Sequence, residues 1–239
     1  NFFWILRDTS FEAELIATFE KEIAKNKELE ESDRRLTASF IARALSTCGS
    51  RAGAEAVLKF MFDDPVNVIH RDFAVDVLVP LLTREIISGE ELAEEAENPD
   101  NHAIGRALCI EALATHDGAA HFDLFRRPAE TSDDTTLLGI AVTAMGMSGV
   151  ADASVPLRRV IRRTDVSEGV RGRAARALAI LNDRESLPDI VDAFLDLETY
   201  EGSILFQFVG AIRHFCPTTA ERMLDTIETK AASNMQLKA

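Results

Sequence analysis

The sequence predicts an all-α fold, a right-handed α-solenoid of about six stacked antiparallel helix pairs. Alanine and leucine are plentiful, whereas the 239 residues contain one Trp and one Tyr. This composition favours helices over strands. Small-then-apolar residue pairs also recur at a nearly constant step, and a second helical pattern begins roughly ten residues after most of them. A period of this size that contains two helices is typical of stacked helical repeats.

The recurring pairs define the register of the repeat, and we name them the anchor pairs. Their steps are 33, 35, 32, 33 and 34 residues. Small residues on the first helix of a pair let neighbouring backbones approach, while leucine and phenylalanine fill the space between layers. One helix pair cannot bury its apolar face alone, so the array is stable only as a stack. The anchor pairs are Ala44-Leu45, Val77-Leu78, Ala112-Leu113, Ala144-Met145, Ala177-Leu178 and Ala211-Ile212.

Local signals predict where the helices begin and how the chain divides. A hydroxyl residue followed three positions later by an acidic residue fits an N-terminal cap, and the chain has four such pairs: Thr9 with Glu12, Ser88 with Glu91, Ser186 with Asp189, and Thr218 with Glu221. Glycines stand in the breaks between paired helices, at Gly49, Gly118 and Gly149. We expect the repeat array to span residues 32–232. Residues 1–31 would form an N-terminal cap or the remnant of a further repeat, and residues 233–239 a C-terminal tail.

The most regular part of the chain runs from Ala144 to Asp196. It holds an acidic residue in each turn (Asp152 and Asp183), a proline in each second helix, and the pair Val170-Arg171. In these features it resembles two consecutive HEAT-like repeats of the phycobilisome-lyase type, an armadillo-like architecture. The resemblance implies the solenoid fold and says little about function.

The charge of the chain restricts its partners. The formal net charge is −14, and residues 1–100 hold 11 Lys and Arg against 21 Asp and Glu. Such a chain repels nucleic acid and anionic lipid and attracts basic partners. The three cysteines are far apart and form no CxxC pair, which predicts reduced thiols in a cytoplasmic protein. No apolar run approaches the length of a membrane span.

The sequence carries no recognised catalytic motif. The sequence has no phosphate-binding loop, no G-x-S-x-G elbow and no histidines at ligand spacing. It also lacks the His-Glu dipeptides with which the HEAT-like enzyme deoxyhypusine hydroxylase binds iron. The sequence therefore predicts no catalytic residue, no metal and no cofactor, and favours a protein that is not an enzyme. A catalytic site built from ordinary Asp and Arg residues in a groove would leave no motif, so that alternative stays open.

One candidate binding site is a basic patch in the middle of the chain. Within VPLRRVIRR, Leu157, Val160 and Ile161 form one helical face and the arginines form the other. The patch consists of Arg158, Arg159, Arg162, Arg163, Arg173 and Arg176. It would suit a phosphate, a carboxylate or an acidic partner segment.

The alternative for the same arginines is a ladder of salt bridges between repeats. A step of 33 residues aligns Arg126 with Arg159 and Asp192, and Arg163 with Asp196. Arginines that recur six positions before the anchor pairs are expected to be structural and to pair with turn acids such as Asp165. They are Arg71, Arg106 and Arg171.

A second candidate site is an acidic face within SGEELAEEAENPD, made of Glu90, Glu91, Glu94 and Glu95. So many carboxylates on one short helix cannot all be paired. The face is either solvated surface or a docking site for a basic protein.

The sequence thus favours a non-catalytic interaction scaffold that binds a protein partner, most simply a basic one. A toxin-neutralising immunity protein would be one such case. A chromophore lyase-like or bilin-binding protein, which the resemblance implies, would need arginines for propionates and an apolar groove for rings. A nucleic-acid-processing HEAT-like enzyme is disfavoured by charge. The sequence predicts neither the identity of the partner nor the oligomeric state.

Overall fold

The computed structural model describes residues 11–28, 37–63, 73–198 and 202–222. These residues are mostly helical and include no strand, and consecutive helices pack as neighbours in the manner of an α-solenoid. The predicted all-α fold is therefore confirmed. The chain divides into two compact units, Asn1–Asp117 and Gly118–Ala239.

The first unit contains six described helices. They are α1 (Glu12–Lys27), α2 (Thr37–Cys48), α3 (Arg51–Asp63), α4 (Val79–Thr83), α5 (Gly89–Glu97) and α6 (Ala103–Asp117), and a π-helical turn, Ala74–Leu78, leads directly into α4. Helix α2 packs against α1, α3 and the π-helical turn, and α6 packs against that turn, α4 and α5. First helices of successive pairs thus lie side by side in this unit.

The second unit repeats the arrangement. Its described helices are α7 (Phe122–Thr131), α8 (Thr135–Met147), α9 (Ser154–Arg162), α10 (Glu168–Ile180), α11 (Leu187–Leu195) and α12 (Gly202–Phe215), and a further helix begins at residue 217. Helix α10 lies between α8 and α12, and we name these three helices layer A. Helix α9 lies between α7 and α11, and we name these three layer B. Each layer is a row of neighbours, as in stacked helical repeats.

The anchor pairs lie in the core. All twelve side chains in the six pairs are at most 5% exposed. Apolar burial of this kind is the main favourable contribution to folding. The register of the repeat, deduced from spacing, is therefore confirmed in both units.

Small residues at the anchors let layer A pack closely. A Cβ atom added at Gly146 in α8 would lie 2.6 Å from the Cβ atom of Ala177 in α10 and 2.8 Å from its Cα atom. Ala174 and Ala175 in α10 are also fully buried. Alanine-rich α10 is thus the middle helix of a closely packed layer, as the sequence predicts.

The turns between paired helices use left-handed residues. Asn182 has φ of 55°, and the N–H groups of Asn182 and Asp183 donate to the carbonyl oxygens of Ala179 and Leu178. Glu85, also at φ 55°, lies in the same bond pattern after α4, and Gly149 has φ of 68°. This pattern satisfies carbonyl groups at the C-terminal end of a helix.

The predicted N-terminal caps are partly correct. Ser88 and Glu91 form the reciprocal capping box of α5, as predicted. The prediction for Ser186 is wrong, because its hydroxyl donates backward to the carbonyl oxygen of Asp183 instead of accepting from α11. The prediction for Thr218 is also wrong, because Thr218 lies inside the helix that follows Cys216. Thr9 lies outside the described residues.

The proposed division of the chain into cap, array and tail stays a prediction. Its boundaries, after residues 31 and 232, fall outside the described residues, as does the whole tail. Helix α1, which belongs to the expected cap, packs against α2 and α3. In the described part of the chain, no helix combines the length and apolar character needed to cross a membrane.

Candidate binding surfaces

The six arginines of the predicted basic patch do not form one surface. Arg158, Arg159, Arg162 and Arg163 belong to α9 or directly follow it, in layer B, whereas Arg173 and Arg176 belong to α10, in layer A. Arg162 lines a groove between α9 and α11, while Arg176 lines a groove between α10 and α12. The two groups have different surroundings and must be interpreted separately.

Two arginines of α9 are held by carboxylates of the next repeat. Arg158 donates from Nε to Asp183 at 2.7 Å and from Nη2 to Glu185 at 3.1 Å. Arg162 makes a bidentate contact with Asp189, with N–O distances of 2.9 and 2.7 Å. Such charge-assisted hydrogen bonds favour the charged guanidinium, and they raise the pKa of both arginines above the ordinary value. These contacts join α9 to the turn before α11 and to its first turn.

The other two arginines of this group are also close to carboxylates. Arg163 makes a bidentate contact with Asp165 two residues away, at 3.1 and 2.7 Å, and its guanidinium lowers the pKa of the Asp165 carboxyl group. Arg159 lies 3.7 Å from Glu130 of α7. All four arginines of the α9 group therefore already have acidic neighbours within the protein.

Ion pairs between repeats exist, but the predicted partners are wrong. Arg159 contacts Glu130 and not Asp192, and Arg126 pairs with Asp123 of its own helix. Arg158 and Arg162 contact carboxylates 25 to 27 positions ahead, fewer than one repeat, in keeping with the lean of helical side chains toward the N-terminus of their helix. Arg159 instead reaches back to Glu130 in the last turn of α7. The length and direction of each side chain therefore decide its partner.

The recurring arginines are structural, as predicted, although their partners differ from the expectation. Arg171 is buried and donates from Nε to the carbonyl oxygen of Ile161, while its Nη atoms contact Asp196. Arg106 donates from Nε to the carbonyl oxygen of Ala96. Asp165, the expected partner, is instead the partner of Arg163. Arg71 lies outside the described residues.

The two arginines of the predicted patch that belong to α10, Arg173 and Arg176, lie on an open surface. Both are exposed, and within the described residues neither has a carboxylate partner. Arg173 passes over Gly139 of α8, where an added Cβ atom would lie 2.9 Å from its Nη1 atom. Arg176 lines a groove of about 310 Å³ between α10 and α12. We name this the α10–α12 groove; its other lining residues include Ile180, Phe206, Gln207, Gly210 and His214.

Sequence reasoning missed the apolar part of this groove. Phe206 is 75% exposed and Ile180 is 55% exposed. A signal for Ile180 exists in the repeat register, because it stands three positions after its anchor Ala177, where Met147 is also exposed. A large apolar residue at a repeat position that faces solvent therefore predicts an exposed apolar surface.

The four glutamates of the predicted acidic face have two different roles. Glu91 caps α5 and lies 2.7 Å from Nη1 of Arg51, and these contacts lower the pKa of its carboxyl group. Glu95 accepts a hydrogen bond from the side chain of Asn101 at 2.7 Å. Glu90 and Glu94 are exposed, and neither has an ion-pair partner within the described residues. Two of the four carboxylates are therefore used by the fold and two face solvent.

Comparison with curated proteins gives no significant match. Residues 170–196 match the family model of the PBS lyase HEAT-like repeat. These residues extend through α10 and α11, so that the matched segment is one helix pair of the stack, and it includes the buried Arg171 and its partner Asp196. Residues 170–196 are thus one HEAT-like repeat, and their place in a stack of helix pairs supports a HEAT-like repeat protein.

Proposed function

We propose that this HEAT-like repeat protein is a non-catalytic interaction scaffold that binds a basic protein partner on the acidic face of α5. The observation that carries the proposal is the pair Glu90 and Glu94, whose carboxylates are exposed without a cationic neighbour within the described residues. The long surfaces of stacked helical repeats normally serve recognition of other macromolecules.

Charge explains why the partner would be basic. Glu90 and Glu94 are four positions apart, so they lie on one side of α5 and repel each other. A lysine or arginine from a partner relieves this repulsion. The net charge of −14 also attracts cationic proteins over distance and accelerates their association.

The test is affinity capture from native lysate with three forms of the protein. They are the wild type, the double variant Glu90→Gln with Glu94→Gln, and the control Glu14→Gln with Glu20→Gln. The control removes the same charge from α1, where Glu14 and Glu20 are also exposed. Captured proteins are identified and their stoichiometry is measured at about 0.05 M and about 0.5 M NaCl, because salt screens exposed charges.

We expect one basic protein at stoichiometric amounts at low salt, bound by the wild type and by the control, and lost from the α5 variant. Equal retention by all three forms would place the contact elsewhere and overturn the role of α5. Recovery of no stoichiometric protein in any form would contradict the scaffold function itself.

A further inference from the structure

We propose that the α10–α12 groove, in the second unit, docks an acidic protein segment that carries one large apolar side chain. This is a second docking surface, distinct in place and in charge from the acidic face of α5, and it goes beyond the function proposed above. Unpartnered cations, exposed apolar side chains and an open groove floor together support it.

The first observation is charge. In α8, α10 and α12 the one acidic residue is Glu168 at the start of α10, although the chain has 40 Asp and Glu residues in total. Three exposed arginines on these helices, Arg173, Arg176 and Arg213, have no carboxylate partner within the described residues. Layer A thus presents a cationic surface on an acidic protein.

The contrast with α9 shows that this surface is specific. Each of the four arginines of the α9 group has a carboxylate within 4.0 Å, the closest contacts being bidentate. The fold therefore supplies carboxylates to all four arginines of the α9 group, whereas in layer A it supplies one to the buried Arg171 and leaves the exposed arginines open within the described residues. Arginine binds carboxylates in a planar, bidentate geometry, so an acidic segment is the complementary ligand.

The second observation is the apolar content of the groove. The rings and chains of Phe206 and Ile180 lie along the groove beside Arg176. Phe206 leaves three quarters of its surface in water, apolar area whose burial by a ligand would favour binding. Aromatic and arginine side chains are also the residue types that contribute most to protein–protein binding. A docked segment with one large apolar residue would bury this surface.

The third observation is the floor of the groove. A Cβ atom added at Gly210 would meet nothing within 4 Å, so the space above this glycine is open. On the same helix, Phe206 precedes Gly210 by four positions and Arg213 follows it by three, which places all three on one side of α12. Gly210 therefore separates an aromatic contact from a cationic one, with room between them for a side chain.

Binding is measured by fluorescence anisotropy with labelled synthetic peptides. The first probe is a short glutamate-rich peptide with one central phenylalanine, the second has alanine in its place, and the third has lysine in place of every glutamate. The measurements use about 0.15 M NaCl, so that the overall negative charge of the protein is screened beyond about 8 Å. Protein is titrated to about 1 mM, where weak recognition is still detected.

Three variants test the site. Arg173→Gln with Arg176→Gln removes the cations, and Arg126→Gln with Arg159→Gln is the control with the same charge change in layer B. The third variant, Gly210→Leu, adds a side chain whose Cβ atom meets nothing within 4 Å and replaces glycine with a better helix former, so we expect it to keep or raise Tm, which thermal unfolding checks. Loss of binding in this third variant at an unchanged or raised Tm cannot come from unfolding.

We expect the acidic phenylalanine peptide to bind most tightly and the alanine and lysine peptides at least roughly tenfold more weakly. The Arg173/Arg176 and Gly210 variants should each weaken the first peptide by roughly tenfold, whereas the Arg126/Arg159 control and the Glu90/Glu94 variant should bind as the wild type does. Absence of binding at about 1 mM, or an equal loss in the control, would overturn the proposal. Arginine-dependent binding of biliverdin in place of the peptide would also overturn it, in favour of a tetrapyrrole carboxylate.

Discussion

Arg171 donates a hydrogen bond from Nε to the carbonyl oxygen of Ile161, at 3.1 Å. Arg106 makes the corresponding bond to Ala96, at 2.8 Å, and in both cases the acceptor lies ten residues before the arginine. The acceptors lie in the last turns of α9 and α5, where carbonyl groups lack partners inside the helix. A cation there also interacts favourably with the helix dipole. The recurring arginine therefore fastens the end of one repeat to the first helix of the next.

Replacement of Arg171 with methionine should destabilise the protein by about 1–3 kcal/mol. Methionine is a long, unbranched side chain as well, but it cannot donate hydrogen bonds. The buried carbonyl oxygens of Ile161 and Ala193 therefore lose the donor that the Arg171 guanidinium supplies. Urea unfolding monitored by circular dichroism measures the change. Arg173→Met on the same helix is the control, and because Arg173 is exposed we expect a change within about 0.5 kcal/mol. Equal effects of the two substitutions would contradict the role assigned to Arg171.

Gly146→Ala should destabilise the protein although alanine is the better helix former. The added Cβ atom would lie 2.8 Å from the Cα atom of Ala177, so that α8 and α10 must separate. Overpacking of this kind costs about 1–3 kcal/mol, more than the gain of up to about 1 kcal/mol in helix propensity. Gly210→Ala, where the added atom meets nothing within 4 Å, should instead stabilise by about 0.5–1 kcal/mol. Thermal unfolding of both variants distinguishes close packing from propensity, and a stabilising Gly146→Ala would show that the helices are not in tight contact.

The contact between Arg158 and Asp183 should be the strongest ion pair of the α9 group. Their side chains are 25% and 10% exposed, whereas Asp165, the partner of Arg163, is 68% exposed. A double-mutant cycle with Arg158→Met and Asp183→Asn should give a coupling of about 1–2 kcal/mol, because water competes less for a partly buried, bidentate pair. The cycle of Arg163→Met with Asp165→Asn should give less than about 1 kcal/mol and decrease more in high salt. Equal couplings in the two cycles would show that burial does not strengthen the first pair.

The sequence predicts the buried framework well because burial repeats with the helix pair. A small-then-apolar pair such as Ala177-Leu178 recurs in the same place of each first helix, and every one of these pairs is buried. The capping box at Ser88 is a local contact within four residues, so it is also predictable. The same local rule gives the wrong prediction at Ser186. A short 3₁₀ turn, Arg184–Ser186, precedes α11, and the Ser186 hydroxyl donates back to Asp183 instead of capping α11.

The candidate surfaces are less predictable because they depend on which layer a helix occupies. Arg162 and Arg173 are close in sequence, yet they lie on helices of different layers, so proximity along the chain suggests one patch where there are two. The partners of the α9 arginines depend on the direction and reach of each long side chain, which the repeat step alone does not predict. The α10–α12 groove depends on Phe206 and Gly210 lying beside Ile180 across two helices. No motif describes that arrangement.

Cys216 should react as an acidic thiol. Its Sγ atom lies 3.4 Å from the hydroxyl of Thr218 and accepts a hydrogen bond from that of Thr219 at 3.0 Å, and these contacts lower its pKa from 9.0 to about 7. Peptide-resolved alkylation with iodoacetamide between pH 6 and pH 10 should therefore give a rate that rises with an apparent pKa of about 7. Thr219→Val should move that midpoint upward, toward the ordinary value.

Cys109 is the internal control for this measurement, because burial raises the pKa of its thiol and keeps it from the reagent. We expect it to be alkylated only when the protein unfolds. The lowered pKa of Cys216 also has a consequence for stability. Since the thiolate is favoured in the folded state, its contribution is fully present above pH of about 9 and is lost as the pH falls through about 7. A midpoint for Cys216 near 9 that Thr219→Val leaves unchanged would show that the two threonine hydroxyls do not stabilise the thiolate in solution.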